Sequence, residues 1–198
     1  MWLLLGRAFL SNVADTVYVY WIPLYFMRVK GTDLSEAALN ASLPLIGGAV
    51  GGIFSGWMQE RLIRDFRNRR WARSSIGFAS KFLAMGFIVS SLYFEDARVV
   101  AWVFFIVKFF GDWEGPVTWG TATDIGGKNS ATVFGWINTM GSIAAVIAGP
   151  MTGLIIMAGW NVLFLTMALE YLGVAVIWLF INCTVPIEPG LKPAPDNK

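Results

Sequence analysis

Histidine is absent from the 198 residues, and Cys183 is the one cysteine. The first absence removes His-based catalytic triads, His-ligated zinc and imidazole proton relays. The second removes any disulfide within the chain. Charge is scarce as well: Asp, Glu, Lys and Arg make up 14% of the residues against 56% hydrophobic, a balance that fits no ordinary soluble domain. Alternating segments of ~10 residues, the mark of a membrane β-barrel, are missing too. No metal-ligand spacing and no acid dyad arranged for catalysis is visible. No metal, no cofactor and no enzyme is therefore expected.

What is present is six long apolar segments, near residues 2–27, 39–62, 74–93, 99–123, 131–157 and 160–185. A bilayer core takes ~20 apolar residues per helix, and only helices satisfy their own backbone in lipid. The expectation is an all-α membrane protein with six transmembrane helices, one domain over residues 1–187 and a proline-rich, disordered cytoplasmic tail over 188–198. Short loops make neighbouring helices antiparallel. Residues 61–73 carry six arginines against one acid, which places that loop, and with it both termini, on the cytoplasmic side. Its expected partner is the lipid bilayer, not nucleic acid.

Two ladders of small residues recur at helical spacing: Gly48, Gly52 and Gly56, with Gly47 and Gly51 one step behind, and Gly141, Ala145, Gly149 and Gly153. Such faces let helices approach closely; static packing and sliding are both open. Pro23, Pro44, Pro116 and Pro150 each remove a backbone donor and bend or break a helix. Pro116 should free the carbonyl of Asp112.

The fourth segment is the most informative, because Lys108, Asp112 and Glu114 fall within seven residues of an aromatic span. A charge near the bilayer centre costs at least ~2.5 kcal/mol on insertion scales. Lys108 and Asp112, four apart, can pair, whereas Glu114 is rotated by ~200° from Asp112 and needs another partner. The pair is either an interhelical lock or a functional site. Asp15 lies deep in the first segment, followed by Tyr18 and Trp21. Arg7 sits near a helix end, where snorkelling accounts for it. Lys81 and Glu170 occupy the third and sixth segments, and Asn138 the fifth.

Gly56-Trp-Met-Gln-Glu60-Arg61, followed by Arg69 and Arg70, resembles the short cytoplasmic motif of the major facilitator superfamily, with Glu60 in place of the usual Asp. The stretch from Asp124 to Gly141 is similar to the loop and eleventh helix of the superfamily's anion:cation symporter branch, whose members carry sialate, glucarate, galactonate and hexuronates. Residues 21–25 and 42–44 resemble that branch's seventh and eighth helices. The resemblance implies one half of a major facilitator fold, the C-terminal six helices, working by alternating access with the missing N-terminal half or a second copy as partner. It implies a small organic anion as substrate and a proton or sodium ion for coupling. Substrate contacts would fall on Tyr18, Trp21, Lys108, Trp119 and Asn138. Coupling would fall on Asp15, Asp112 and Glu114, and the conformational motif on Gly56, Glu60, Arg61, Arg69 and Arg70. Lys81 and Glu170 would be peripheral and structural. The rival reading is a membrane interaction protein that transports nothing.

Overall fold

The computed structural model describes residues 1–66 and 68–187; the stretch expected to form a disordered tail lies outside them. The described residues are helical, without strands. α1 (Trp2–Tyr20) and α2 (Ile22–Arg28) follow one another, then α3 (Leu34–Phe66), α4 (Arg69–Ser90), α5 (Ala97–Gly111), α6 (Glu114–Gly126), α7 (Ser130–Ala158) and α8 (Trp160–Phe180). Four stretches are long and apolar enough to cross a membrane: Leu34–Asp65, Arg69–Tyr93, Ala97–Ala158 and Trp160–Phe180. This is an integral membrane protein.

The first and fourth apolar segments are each broken into two helices. Pro23 cannot donate to the carbonyl of Val19, and the chain steps at Trp21 between α1 and α2. Pro116 likewise leaves the Asp112 carbonyl without its helical donor, and α5 ends where Asp112 begins the step to α6. Two hydroxyls from neighbouring helices serve the carbonyls exposed there. Ser55 on α3 donates to the Trp113 carbonyl at 2.6 Å, and Ser80 on α4 to those of Phe110 at 2.8 Å and Gly111 at 3.2 Å. A break at this depth is stable because its backbone groups are satisfied by protein. Pro44 and Pro150, by contrast, stay inside α3 and α7.

The reversals are built with positive-φ glycine. Gly127 (φ 49°) closes α6 and Gly159 (φ 123°) separates α7 from α8, conformations that a Cβ resists. Asp96 caps α5 through its carboxylate, which accepts from the backbone N–H of Arg98 and Val99.

α3 lies along α5, α4 along α8 and α1 along α7. The α3–α5 contact is carried by Gly47 and Gly51, where a Cβ would collide with the backbone of Phe105 and Phe109. Gly48 faces the Asp112 carboxylate, while Gly52 and Gly56 look into open space. Close backbone approach therefore uses Gly47 and Gly51, Gly48 makes room for a side chain, and the rest of the ladder is unused. On α7, Gly141 meets the Asn12 side chain and Gly153 the Trp21 ring, whereas Gly149 meets nothing.

Two large apolar clusters form most of the interior, beside a small third one of Val13, Ala144 and Ala148. One gathers Tyr18, Tyr25, Phe26, Phe104, Phe164 and Tyr171; the other gathers Leu4, Ala8, Trp113, Val117, Val174 and Trp178. Between them α1, α4 and α5 each insert polar residues: Arg7, Ser11 and Asp15, then Ser80 and Lys81, then Lys108. That polar layer holds the site.

Gly51→Ala is expected to destabilise the bundle by about 1–3 kcal/mol through overpacking against α5, and Gly52→Ala to change it little. Thermal unfolding of the detergent-solubilised protein would check the contrast; equal melting temperatures for the two variants would contradict it.

Candidate functional site

The polar layer divides into two ionic groups. In the first, the Lys108 ammonium donates to Asp112 Oδ1 at 2.6 Å, one helical turn along α5, and to Asp15 Oδ1 on α1 at 2.7 Å. Lys108 itself is 9% exposed, while the Asp15 and Asp112 side chains are 37% and 32% exposed. One buried cation is thus shared by two carboxylates that open to the surface. The Tyr18 ring lies 5.5 Å from the ammonium, and Gly48 supplies the bare backbone against which Asp112 rests.

The second group is closed. Glu114, at the first turn of α6, receives Arg7 at 3.0 Å from α1 and Lys81 at 3.0 Å from α4. Ser11 donates to the same carboxylate, and so does the Trp178 indole of α8 at 3.2 Å. Lys81 also donates to Ser11 at 3.0 Å. The three charged side chains are between 1% and 8% exposed. Glu114 finds the separate partner that its rotation away from Asp112 demanded, and three other helices converge on it.

This arrangement revises two expectations. Arg7 does not snorkel: it is 4% exposed and its guanidinium lies over the Trp178 ring at 5.4 Å. Lys81 is not at the periphery, since its ammonium is among the most enclosed groups in the bundle. Neither was legible along the chain, because their common partner stands 107 residues from one and 33 from the other. Glu170 is half-buried on α8, with Oε2 lacking a partner among the described residues.

Of the remaining expected site residues, Tyr18 stands beside Lys108, its ring under the ammonium. Tyr18 is buried beneath the cluster, its hydroxyl 3.5 Å from that of Tyr171. Trp21 is half-buried against Gly153. Trp119 on α6 is 64% exposed, and Asn138 on α7 is exposed. At the basic end, Gly56 is open, Glu60 and Arg61 are exposed, and Arg61 covers the Trp57 ring at 4.3 Å. Arg70 covers Trp71 at 5.1 Å. Arg69 stands 3.8 Å from Asp124 at the end of α6, and Arg73 pairs with the same carboxylate at 2.5 Å. Arg73 and Asp124 are 51 residues apart, and no local spacing signals their pairing. No group of three or more acids, cysteines and histidines that could hold a metal occurs among the described residues.

Chemically, the open group offers an ammonium that can meet a carboxylate or sulfonate once one of its own carboxylates lets go. The closed group offers no free face to a solute.

The chain matches the family model described as Major Facilitator Superfamily over residues 8–198. It is 30% identical to the "Probable sulfoacetate transporter SauU" of Cupriavidus necator, across all of this chain and 45% of that protein. It is 29% identical to the "Probable galactarate/D-glucarate transporter GudP" of Bacillus subtilis, across 71% of this chain and 31% of the relative. It is 26% identical to the "Ascorbate transporter, chloroplastic" of Arabidopsis thaliana, across 90% and 33%. The chain spans less than half the length of these relatives.

Glu114→Gln leaves Arg7 and Lys81 facing each other without an anion, and is expected to cost about 3–5 kcal/mol. Lys81→Met leaves the balanced Arg7–Glu114 pair and should cost less. Comparing the melting temperatures of the purified variants checks the order; a milder loss in Glu114→Gln would refute it.

Proposed function

The chain belongs to the major facilitator superfamily, and from that premise we propose that it is the C-terminal six-helix half of a secondary transporter for small organic anions. Its six crossings are α1 with α2, α3, α4, α5 with α6, α7 and α8, within a domain covering residues 1–187. The turn at Gly127 divides the 62-residue apolar stretch 97–158 into two of them. The excess of arginine in residues 61–73 favours cytoplasmic termini, in an inner or plasma membrane. The other half, from sequence beyond these 198 residues or from a second copy, completes a midplane site around which the halves rock.

The single observation that carries the reading is the Lys108 ammonium shared by Asp15 and Asp112 at a partly open face. Relatives named for sulfoacetate, galactarate, D-glucarate and ascorbate support an anionic solute. Two carboxylates around one ammonium repel such a solute. When a proton settles on either acid, that hydrogen bond to Lys108 is released and the ammonium takes the solute's anionic group instead. Departure of the solute returns Lys108 to its carboxylates and favours loss of the proton. Proton entry and anion entry are coupled through one amine. A sodium ion between the two carboxylates would serve the same end.

Glu114 is enclosed by two cations, so coupling falls to Asp15 and Asp112 and Glu114 holds the helices around them. Trp21, Trp119 and Asn138 present rings and an amide to the solute as the second half closes over them. The motif residues Gly56, Glu60, Arg61, Arg69 and Arg70 lie toward the end of α3 and at the start of α4, Arg69 and Arg73 reach Asp124 of α6, and exchange of such partners accompanies rocking.

The reading is tested by uptake of labelled D-glucarate and of sulfoacetate into membrane vesicles containing the protein in its native assembly. An inward proton gradient should accelerate uptake, Lys108→Met should abolish it at normal abundance, and Asp112→Asn should uncouple it from the gradient. Uptake of neither anion, or uptake indifferent to both variants, would favour a membrane protein that carries nothing through this site.

A further inference from the structure

At the end of the bundle opposite the arginine-rich residues 61–73, the N-terminal parts of α3 and α5 leave a cleft of about 500 Å³ between them, within the range of small-molecule sites. None of the residues lining it belongs to either ionic group. One of them is a side chain that the fold does not account for. Asn40 is only 7% exposed and lines the cleft, yet its amide nitrogen has no hydrogen-bond partner among the described residues. A buried amide donor without an acceptor is costly, and an acceptor brought from outside the chain removes that cost.

The packing of the two helices says what stands beside that donor. Gly47 meets the backbone of Phe105 and Gly51 that of Phe109, so α3 and α5 run side by side in one register. Followed seven residues back along each helix, that register sets Asn40 level with Arg98. Arg98 also lines the cleft, and its Nε stands 3.7 Å from Glu36, farther than a hydrogen bond. Toward the helix starts, past Asn40 and Arg98, come Glu36 and Asp33, and Asp33 caps α3 by accepting the Glu36 N–H at 2.8 Å. In the other direction, deeper along the same helices, come Leu43 and the exposed ring of Trp102.

We propose that this cleft binds a glycerophospholipid with an amine headgroup, of the ethanolamine type. The ammonium lies between Asp33 and Glu36, the phosphate accepts from Arg98 and the Asn40 amide, and the acyl chains run along Leu43 and Trp102.

The order of chemistry down the cleft selects this occupant. Two acids come first, then two donors at one level, then apolar side chains, and a lipid standing in a leaflet presents amine, phosphate and chain in the same order. A guanidinium and an amide suit a phosphate oxygen, since a charge-assisted hydrogen bond is the stronger kind. A ring such as Trp102 suits the boundary between headgroups and chains. A dianionic solute fits the two donors but meets two carboxylates against one guanidinium, and the balance repels it. A phospholipid without the amine meets the same two acids. The cleft is separate from the Lys108 cluster, so the inference does not depend on what the transporter carries.

The test is native mass spectrometry of the purified native assembly, stripped of lipid and titrated with phosphatidylethanolamine or phosphatidylglycerol of the same chains. The parent protein should hold one ethanolamine lipid per copy about tenfold more tightly than phosphatidylglycerol. Asn40→Leu, which keeps the branched shape without the donor, and Arg98→Gln should each weaken that retention about tenfold. Glu36→Gln should narrow the preference for the ethanolamine lipid. Arg98 is exposed, so its variant reads binding even where the leucine variant does not accumulate. Equal retention of the two lipids by the parent protein would overturn the inference, as would an Arg98→Gln protein that holds the ethanolamine lipid as the parent does. Displacement of the lipid by soluble phosphoethanolamine at matched concentration would also overturn it, making the cleft a site for a free phosphate ester.

Discussion

Six ionisable side chains, three of each sign, meet in one layer between two apolar clusters, and pairing them is the condition on which the bundle stands. An unpaired charge in the interior would cost several kcal/mol. Each acid of the layer is therefore met by a cation: Asp15 by Lys108 and Glu114 by Arg7 and Lys81 from other segments, and Asp112 by Lys108 one turn along its own. Because Glu114 binds α1, α4 and α8 at once, displacing any of those helices breaks a charged contact. In a bilayer apolar side chains gain little by leaving lipid, so the apolar clusters contribute close packing rather than a hydrophobic drive, and that packing by itself does not choose a register. The ion pairs do.

The break between α5 and α6 serves the same layer. An unbroken helix through Asp112 would carry Glu114 a further ~200° round the axis with no freedom to adjust. The step at Asp112 and Trp113 lets α5 hand Lys108 to Asp15 of α1 while α6 turns Glu114 toward α1, α4 and α8. Such a step is tolerable at membrane depth because Ser55 and Ser80 answer the carbonyls it exposes. Gly47, Gly48 and Gly51 bring α3 close enough for Ser55 to reach. Packing, backbone satisfaction and charge placement are one problem here, solved by neighbouring residues.

Much of this was legible along the chain. The membrane class follows from segment length and composition, and the family resemblance from residues 56–70 and 124–141. Local pairs were legible too: Lys108 and Asp112 stand one turn apart, and helical geometry alone brings them together. What remained hidden were contacts between distant segments. Arg7 near a helix end reads as a snorkelling cation, and nothing nearby in sequence says that Glu114 awaits it. Lys81 reads as peripheral when helices are placed by analogy, yet α4 turns it inward onto Ser11. The glycine ladder was visible as a period, but which of its two registers faces α5 depends on how the helices are rotated.

Composition and segment length are enough to make this chain helical and membrane-embedded, since both follow from backbone hydrogen bonding and hydrophobicity, which are sums over local composition. Spacing likewise makes Lys108 and Asp112 neighbours, since one helical turn is a local distance. That Asp15 shares that lysine, that Glu114 is sealed by two cations, and that the open and closed groups carry opposite excess charge emerge when the helices pack. Those facts depend on the rotation of six segments about their axes. Rotation is set by the collective cost of leaving any charge or backbone carbonyl unpaired in an apolar interior, and no single segment carries that cost alone.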